Sequence, residues 1–382
     1  MSESLSGLNI PVVREPYDLT TPGFQQLVSD LADRPDVAAD FGPGRYPDDT
    51  FIAVGTALKC LAAHAAGTNV HRRLEQSDAD LQLYVVQPAY HEAARMSPRT
   101  ADNPYGEDAF GFRLARLESI KQRFPRISPH LILVDDGCDG AGNKENCSST
   151  VARKLLEAYR QSHPGSDVEV TIVELDTILQ DQAQLDWHPG ITSANQSRKG
   201  GAVLGGFALA RSLHASKSGE AIILETDSDL SIHPDQMLLL VDAITSGACD
   251  AAIASRRRPD SVAIIEDTRN SRGQKFIAAW KELLPSLAQQ VTDTNRGMKA
   301  YNEAAANVVI DQVREMTFAY QLESLLAVTH ADMHICEVGV SYIDSVVLSD
   351  IQEADAAAVY ADLLERVRDL AVRYDESATQ QV

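Results

Sequence analysis

AIILETDSDLSIHPDQ, residues 221–236, decides how the rest of the chain is read. The apolar run Ile222, Ile223 and Leu224 reads as a buried strand, and it ends abruptly in Asp227-Ser228-Asp229. Side chains at i and i+2 of an extended chain point the same way, so the two carboxylates project together from the strand's carboxyl end. Open α/β sheets bind their ligands at that end. Paired hard oxygens suit Mg²⁺ or Mn²⁺, ions that bridge a carboxylate to a pyrophosphate. The plain competing reading is an acidic strand-to-helix turn, with Asp235 helping to start the next helix.

On either side of this stretch, short apolar runs alternate with helical ones. Strands are expected at 81–90, 131–137, 168–175 and 250–256, besides the one that ends at Asp227. Helices are expected at Leu114 to Phe124, Val151 to Tyr159, Ala202 to Leu213 and Met237 to Ile244. Such alternation implies βαβ units and a mainly parallel sheet. The first 80 residues look helical, with Phe24, Leu27, Val28, Leu31 and then Phe51, Val54, Leu58, Leu61 at helical spacing. After Asp350 one long helix is expected, its stripe formed by Val359, Leu363, Val367, Leu370 and Tyr374. The expected organisation is a helical extension over 1–80, an α/β domain over 81–350, and a C-terminal helix and tail over 351–382. Either end helix offers a surface for a homodimer.

Net charge is −21 over 382 residues, which argues against nonspecific binding to nucleic acid or to an anionic membrane surface. The five cysteines are scattered, with no zinc-ligand spacing and no sign of a disulfide framework. No signal peptide is read at the N-terminus. No run approaches the ~18 apolar residues needed to span a bilayer. A soluble, cytoplasmic protein without a membrane span is the expectation.

Six pieces of punctuation fall in order along the predicted strands and loops. They are Val85-Val86-Gln87-Pro88-Ala89-Tyr90-His91-Glu92, Val134-Asp135-Asp136-Gly137, and Asn195 with Arg198-Lys199-Gly200-Gly201-Ala202-Val203. Asp227-Ser228-Asp229-Leu230, Ala254-Ser255-Arg256 and Asp293-Thr294-Asn295-Arg296-Gly297-Met298-Lys299 follow. Together they resemble the family 2 glycosyltransferases of GT-A fold, in particular the polyprenyl-phosphate sugar synthase branch, over roughly residues 81–350. The resemblance implies a Rossmann-like sheet with helices on both faces. It also implies transfer of a sugar from a nucleotide-diphosphate sugar, with UDP favoured and GDP next, aided by Mg²⁺ or Mn²⁺.

Pro88, Tyr90, Glu92, Asp136, Lys199, Asp227 and Arg256 are then expected at the nucleotide sugar. Physically, a strand-end carboxylate such as Glu92 or Asp136 can accept from a nucleobase N–H or a ribose hydroxyl. Lys199 opens a Gly-rich helix start, where a cation and free backbone N–H groups both favour phosphate. Asp229 is the expected metal ligand. A third ligand is sought among His330, His334 and Asp344, with His334 the one chosen. Asp293 and Glu323 are the expected catalytic carboxylates.

Three departures bear on the acceptor. The segment Ala94 to Gly111 is long where the family turns straight into a helix, and Cys138 to Asn143 carries extra residues. Gln321 stands where membrane-linked relatives have the Asp of an Asp-x-Glu pair, leaving only Glu323. The acceptor expected is soluble and polar, a small metabolite or sugar phosphate, in a pocket built from the 94–111 loop, the Arg256 cluster and residues 293–299. Two rivals stand beside this reading: a sugar-1-phosphate nucleotidyltransferase, and a non-catalytic nucleotide-sugar-binding protein.

Overall fold

A computed structural model of the chain describes residues 5–42, 45–46, 48–137, 146–294, 297–344 and 356–376. The inserted Cys138 to Asn143, and Asn295 and Arg296 of the sixth motif, lie outside these residues.

The chain enters through α1 (Pro22–Ala32), α2 (Pro35–Asp40) and the long α3 (Asp48–Ser77). It continues through β1 (Leu81–Ala89), α4 (Ala93–Met96), α5 (Ala109–Arg123), β2 (Ile127–Asp135), α6 (Ser148–Ser162) and β3 (Glu169–Glu174). Next come α7 (Leu175–Gln180), α8 (Gly200–His214), β4 (Glu220–Glu225), α9 (Met237–Thr245), β5 (Ala251–Ser255), β6 (Val262–Ile264) and α10 (Asp267–Leu283). The last part holds α11 (Pro285–Gln290), β7 (Lys299–Asn302), α12 (Glu303–Gln312), α13 (Tyr320–His330), β8 (Ile335–Gly339), β9 (Ser341–Ile343) and α14 (Ala356–Arg373).

Seven strands form one sheet in the order β3-β2-β1-β4-β7-β5-β8. Only β7 runs antiparallel, wedged between β4 and β5. The sequence reading anticipated β1 to β5 but not this wedge, the parallel edge strand β8, or the small parallel β6–β9 pair. Four-residue β7 is too short for a periodic signal, and its neighbours in space are distant in sequence.

The central strands are buried on both faces, which is why they read as unbroken apolar runs. Val85 stands opposite both Leu131 and Leu224. These three join Leu83, Leu133 and Ile222 in a core shared with α5, α9 and the second half of α3. The alternate residues Tyr84, Val86, Ile132, Val134 and Ile223 face α8, α12 and α13. A register slip by one residue would exchange the two cores, so the pairing is strongly specified.

The N-terminal helices close a third cluster with Val262 and Ile343. Because α3 serves two clusters in turn, its apolar residues do not keep to one stripe. By length and composition this 30-residue helix could cross a bilayer, a run the sequence reading did not recognise, yet 56% of its most apolar window is buried inside the fold. At the other end α14 lays Leu363, Val367 and Leu370 into the main core, beside Phe276 of α10.

Candidate active site

The parallel strands end on a common rim, where a cavity of about 600 Å³ opens. Nine of the residues singled out in the sequence line it: Pro88, Tyr90, Glu92, Asp136, Lys199, Asp227, Asp229, Arg256 and Asp293. They come from the ends of β1, β2, β4 and β5, the start of α8, and the loop entering β7. The i, i+2 reading of Asp227 and Asp229 thus places both on the cavity wall.

Lys199 links the two halves of the rim. Its backbone N–H donates to Asp136 Oδ2 at 2.6 Å, and its ammonium pairs with Asp227. This linkage holds a non-glycine residue at φ +68°, a conformation that L side chains seldom adopt. Next to it, Gly200 lies so close to the neighbouring chain that a Cβ would fall 2.6 Å from the Met316 carbonyl carbon. Burial by itself would lower the Lys199 pKa, but the Asp227 and Glu225 charges outweigh it and raise it, so the ammonium stays charged.

The adjacent carboxylates at the end of β2 have separate tasks. Asp135 is turned inward and accepts from the N–H groups of Ser149 at 2.7 Å and Gly137 at 3.2 Å, which fixes the entry to α6. Asp136 faces the cavity, and its Oδ1 is buried with no hydrogen-bond partner. Burial pushes its pKa up to about 6. An unused acceptor of this kind fits an N–H donor supplied by a ligand.

Asp229 Oδ1 accepts from the Ser231 N–H at 3.1 Å, while Oδ2 lies 3.9 Å from Arg95. Gly297 presses against Asp227, where any Cβ would collide with its carboxylate. Among the described residues no group of three or more His, Cys, Asp or Glu is placed to hold a metal ion. The donor set is therefore one or two carboxylates, one of them already paired with Lys199. Such a set suits Mg²⁺ or Mn²⁺ completed by phosphate oxygens and water, and does not suit a metal caged by protein alone.

Asp293 is 1% exposed, with Oδ2 at 3.2 Å from Arg256 Nε and Oδ1 without a hydrogen-bond partner. Glu323 and His334 are the two expected site residues that do not reach the cavity. Glu323 is fully buried, accepts from the N–H groups of Arg314 at 3.0 Å and Glu315 at 2.6 Å, and pairs with Arg373. Its oxygens are engaged in anchoring α14. His334 precedes β8 and meets Asp250 before β5, so it sits at the opposite end of the sheet from Asp229. His330 is paired with Glu376 at 2.6 Å. Asp344, the remaining candidate third ligand, is on the cavity wall but is bonded to Arg269 at 2.6 Å and the Tyr342 hydroxyl at 3.1 Å.

Sequence reasoning missed several walls of the cavity. Gln321 lines it with a buried, unpartnered Oε1, and Arg269 and Arg95 add cations. Phe276 and Ile277 of α10 with Val359, Tyr360 and Leu363 of α14 form an apolar side. Nothing in the local pattern of α14 distinguishes a cavity wall from ordinary core. Of the long segment 94–111, only Arg95 lines the cavity.

No protein-family model matches the chain. Two curated relatives do match. Glycosyltransferase AglD of Haloferax volcanii is 24% identical over 264 residues, 69% of this chain and 33% of AglD. Undecaprenyl-phosphate mannosyltransferase of Micrococcus luteus is 24% identical over 159 residues, 41% of this chain and 62% of that protein. The chain thus matches a third of the first relative's length and less than two thirds of the second's. Among solved structures, glucosyl-3-phosphoglycerate synthase from Mycobacterium tuberculosis in complex with UDP aligns with a TM-score of 0.48 at 14% identity, covering 79% of this chain and 83% of that one. Both curated relatives are glycosyltransferases, and over these spans the chain is similar to them; its six motifs carry the resemblance to the family 2 enzymes of GT-A fold.

Proposed function

We propose that the cavity binds a nucleotide-diphosphate sugar, UDP-linked first and GDP-linked next, and transfers its sugar to a small polar or phosphorylated acceptor. One observation carries this reading: Asp136, Lys199, Asp227 and Asp229 line one cavity, with Lys199 bonded to both Asp136 and Asp227. That both curated relatives are glycosyltransferases supports it.

In this reading Asp136 Oδ1 accepts from the nucleobase, and Glu92 and Tyr90 flank the nucleoside. Lys199 and the N-terminus of α8 meet the diphosphate. Asp229, with Asp227 beside it, would hold Mg²⁺ or Mn²⁺, which when bound supplies positive charge to the departing diphosphate. Asp293 takes the proton of an acceptor hydroxyl through its unpartnered oxygen. Arg256 holds that carboxylate in place, and Arg256 with Arg269 supplies charge for an anionic acceptor. Removing the proton as the new bond forms is ordinary general-base work.

The test is a calorimetric screen of UDP-, GDP-, TDP- and ADP-sugars with Mn²⁺, followed by an assay of diphosphate release. Metal-dependent binding and release of a nucleoside diphosphate, both lost in Asp229→Ala while the far-ultraviolet circular dichroism is unchanged, is the expected result. Undiminished turnover in that variant or in excess chelator overturns the metal role. Pyrophosphate exchange would identify a nucleotidyltransferase, and binding without turnover a sensor.

A further inference from the structure

The Asp227-Ser228-Asp229 turn is held from behind by Arg113, Gln87 and Glu107, none of which lines the cavity. Arg113, on α5, is 1% exposed. Both N–H bonds of its Nη2 go to the turn, to the carbonyl oxygens of Asp227 and Asp229, each at 2.8 Å. Its Nη1 donates to the side-chain Oε1 of Gln87. Gln87 in turn donates to Ser228 Oγ at 3.3 Å, and that hydroxyl donates to the Pro88 carbonyl at 2.6 Å. On the next residue, the Leu230 N–H donates to Glu107 Oε2 at 2.9 Å. Glu107 is 2% exposed and lies 3.5 Å from Arg95, which reaches Glu92 at 3.1 Å and Asp229 at 3.9 Å.

We infer that Arg113, with Ser228 and Glu107, is a clamp that sets the direction of the Asp227 and Asp229 carboxylates before any ligand arrives. The inference rests on the donor-site reading given above. Two features separate it from ordinary packing. A neutral donor would satisfy two turn carbonyls, yet here a full guanidinium is buried. Its charge sits among four carboxylates, those of Asp227, Asp229, Glu107 and Glu92. One planar group also serves three acceptors at once, Nη2 the two turn carbonyls and Nη1 the Gln87 side chain, and lysine, a point charge, cannot hold all three in place. Glu107 belongs to the long 94–111 segment, so that insertion supports the turn from behind instead of reading the acceptor.

Arg113 is a positioning residue, and its effect should appear on the metal-dependent part of donor binding alone. Mn²⁺ and UDP or GDP are titrated into wild type, Arg113→Lys, Ser228→Ala and Arg116→Lys, with calorimetry and the Mn²⁺ electron paramagnetic resonance signal as readouts, well below each Tm. Arg113→Lys should weaken Mn²⁺-dependent nucleotide binding by about tenfold or more, as loss of a group that orients metal ligands does elsewhere. Nucleotide binding in chelator should change less than about twofold. Arg116→Lys, on the same helix but bonded to Asp235, should lower Tm without this loss. If Arg113→Lys does not fold, Ser228→Ala decides, with a loss of about threefold or more expected. Equal Mn²⁺-dependent affinity in wild type and the deciding variant overturns the clamp, and so does an equal loss with and without metal. If wild type binds neither nucleotide with Mn²⁺, the donor reading fails and the clamp falls with it.

Discussion

Asp136 carries the clearest consequence of a single buried group. Under the proposed function its unpartnered oxygen accepts from a nucleobase N–H, best when the carboxyl is ionised, and burial has moved its pKa up to about 6. Above that pH the acceptor is charged and donor affinity is at its plateau. Affinity should fall as pH drops through about 6, and Asp136→Asn should remove most of this pH dependence. The same variant should weaken UDP binding by about 1–3 kcal/mol, the cost of an unmatched polar partner. Calorimetry from pH 5 to 8 checks both, and a flat wild-type profile would place the base elsewhere. The two carboxylates read as catalytic from the sequence should separate experimentally. Asp293→Asn should bind donor normally and lose transfer by about 10²-fold or more. Glu323→Gln should keep the chemistry and lose stability instead, because its oxygens hold backbone N–H groups and Arg373.

Between elements, the strongest electrostatic joint outside the cavity is at Asp235. His64 of α3 lies 2.7 Å from its carboxylate, and Arg116 of α5 grips both oxygens at 2.7 and 2.6 Å. Burial would raise the Asp235 pKa, but His233, His64 and Arg116 together hold it well below the usual carboxylate range. Its stabilisation is therefore present at neutral pH and lost only in strong acid. Neighbouring His233 behaves differently, since burial lowers its pKa to about 4 and keeps it neutral in the fold. The unfolded chain binds that proton near pH 6.5, so stability should fall as pH drops from about 6.5 to 4, by on the order of 3 kcal/mol. Urea unfolding at pH 7 and pH 4.5 reads this, and His233→Gln should flatten the difference. Asp235→Asn should cost about 3–5 kcal/mol at pH 7, because Arg116 is left without its charge partner.

At the scale of the whole molecule, the cavity is completed by an element far along the chain. α14 buries Leu363, Val367 and Leu370 against the main core and brings Val359 and Tyr360 to the cavity. Each buried side chain of this kind contributes about 1.5–3 kcal/mol, so a chain ending at residue 355 should lose several kcal/mol and bind an apolar dye on exposed α10. Donor binding should survive, because no expected nucleotide contact comes from α14. An unchanged urea midpoint would show that the helix contributes little. Five of the six parallel strands of the main sheet and the Asp227–Asp229 pairing were legible in the sequence because each depends on spacing within a few residues, and the nine cavity residues were legible through the resemblance of their motifs to a known family. Alternation, a run's length and an i, i+2 pair are local properties of an extended chain. What Glu323, His334 and Arg113 do was decided only by the tertiary structure. Glu323 meets Arg373 fifty residues on, His334 falls at the far end of its strand, and Arg113 reaches a turn 114 residues away. A carboxylate's role depends on which cation neutralises it, and in this chain those cations come from elements that only folding brings together.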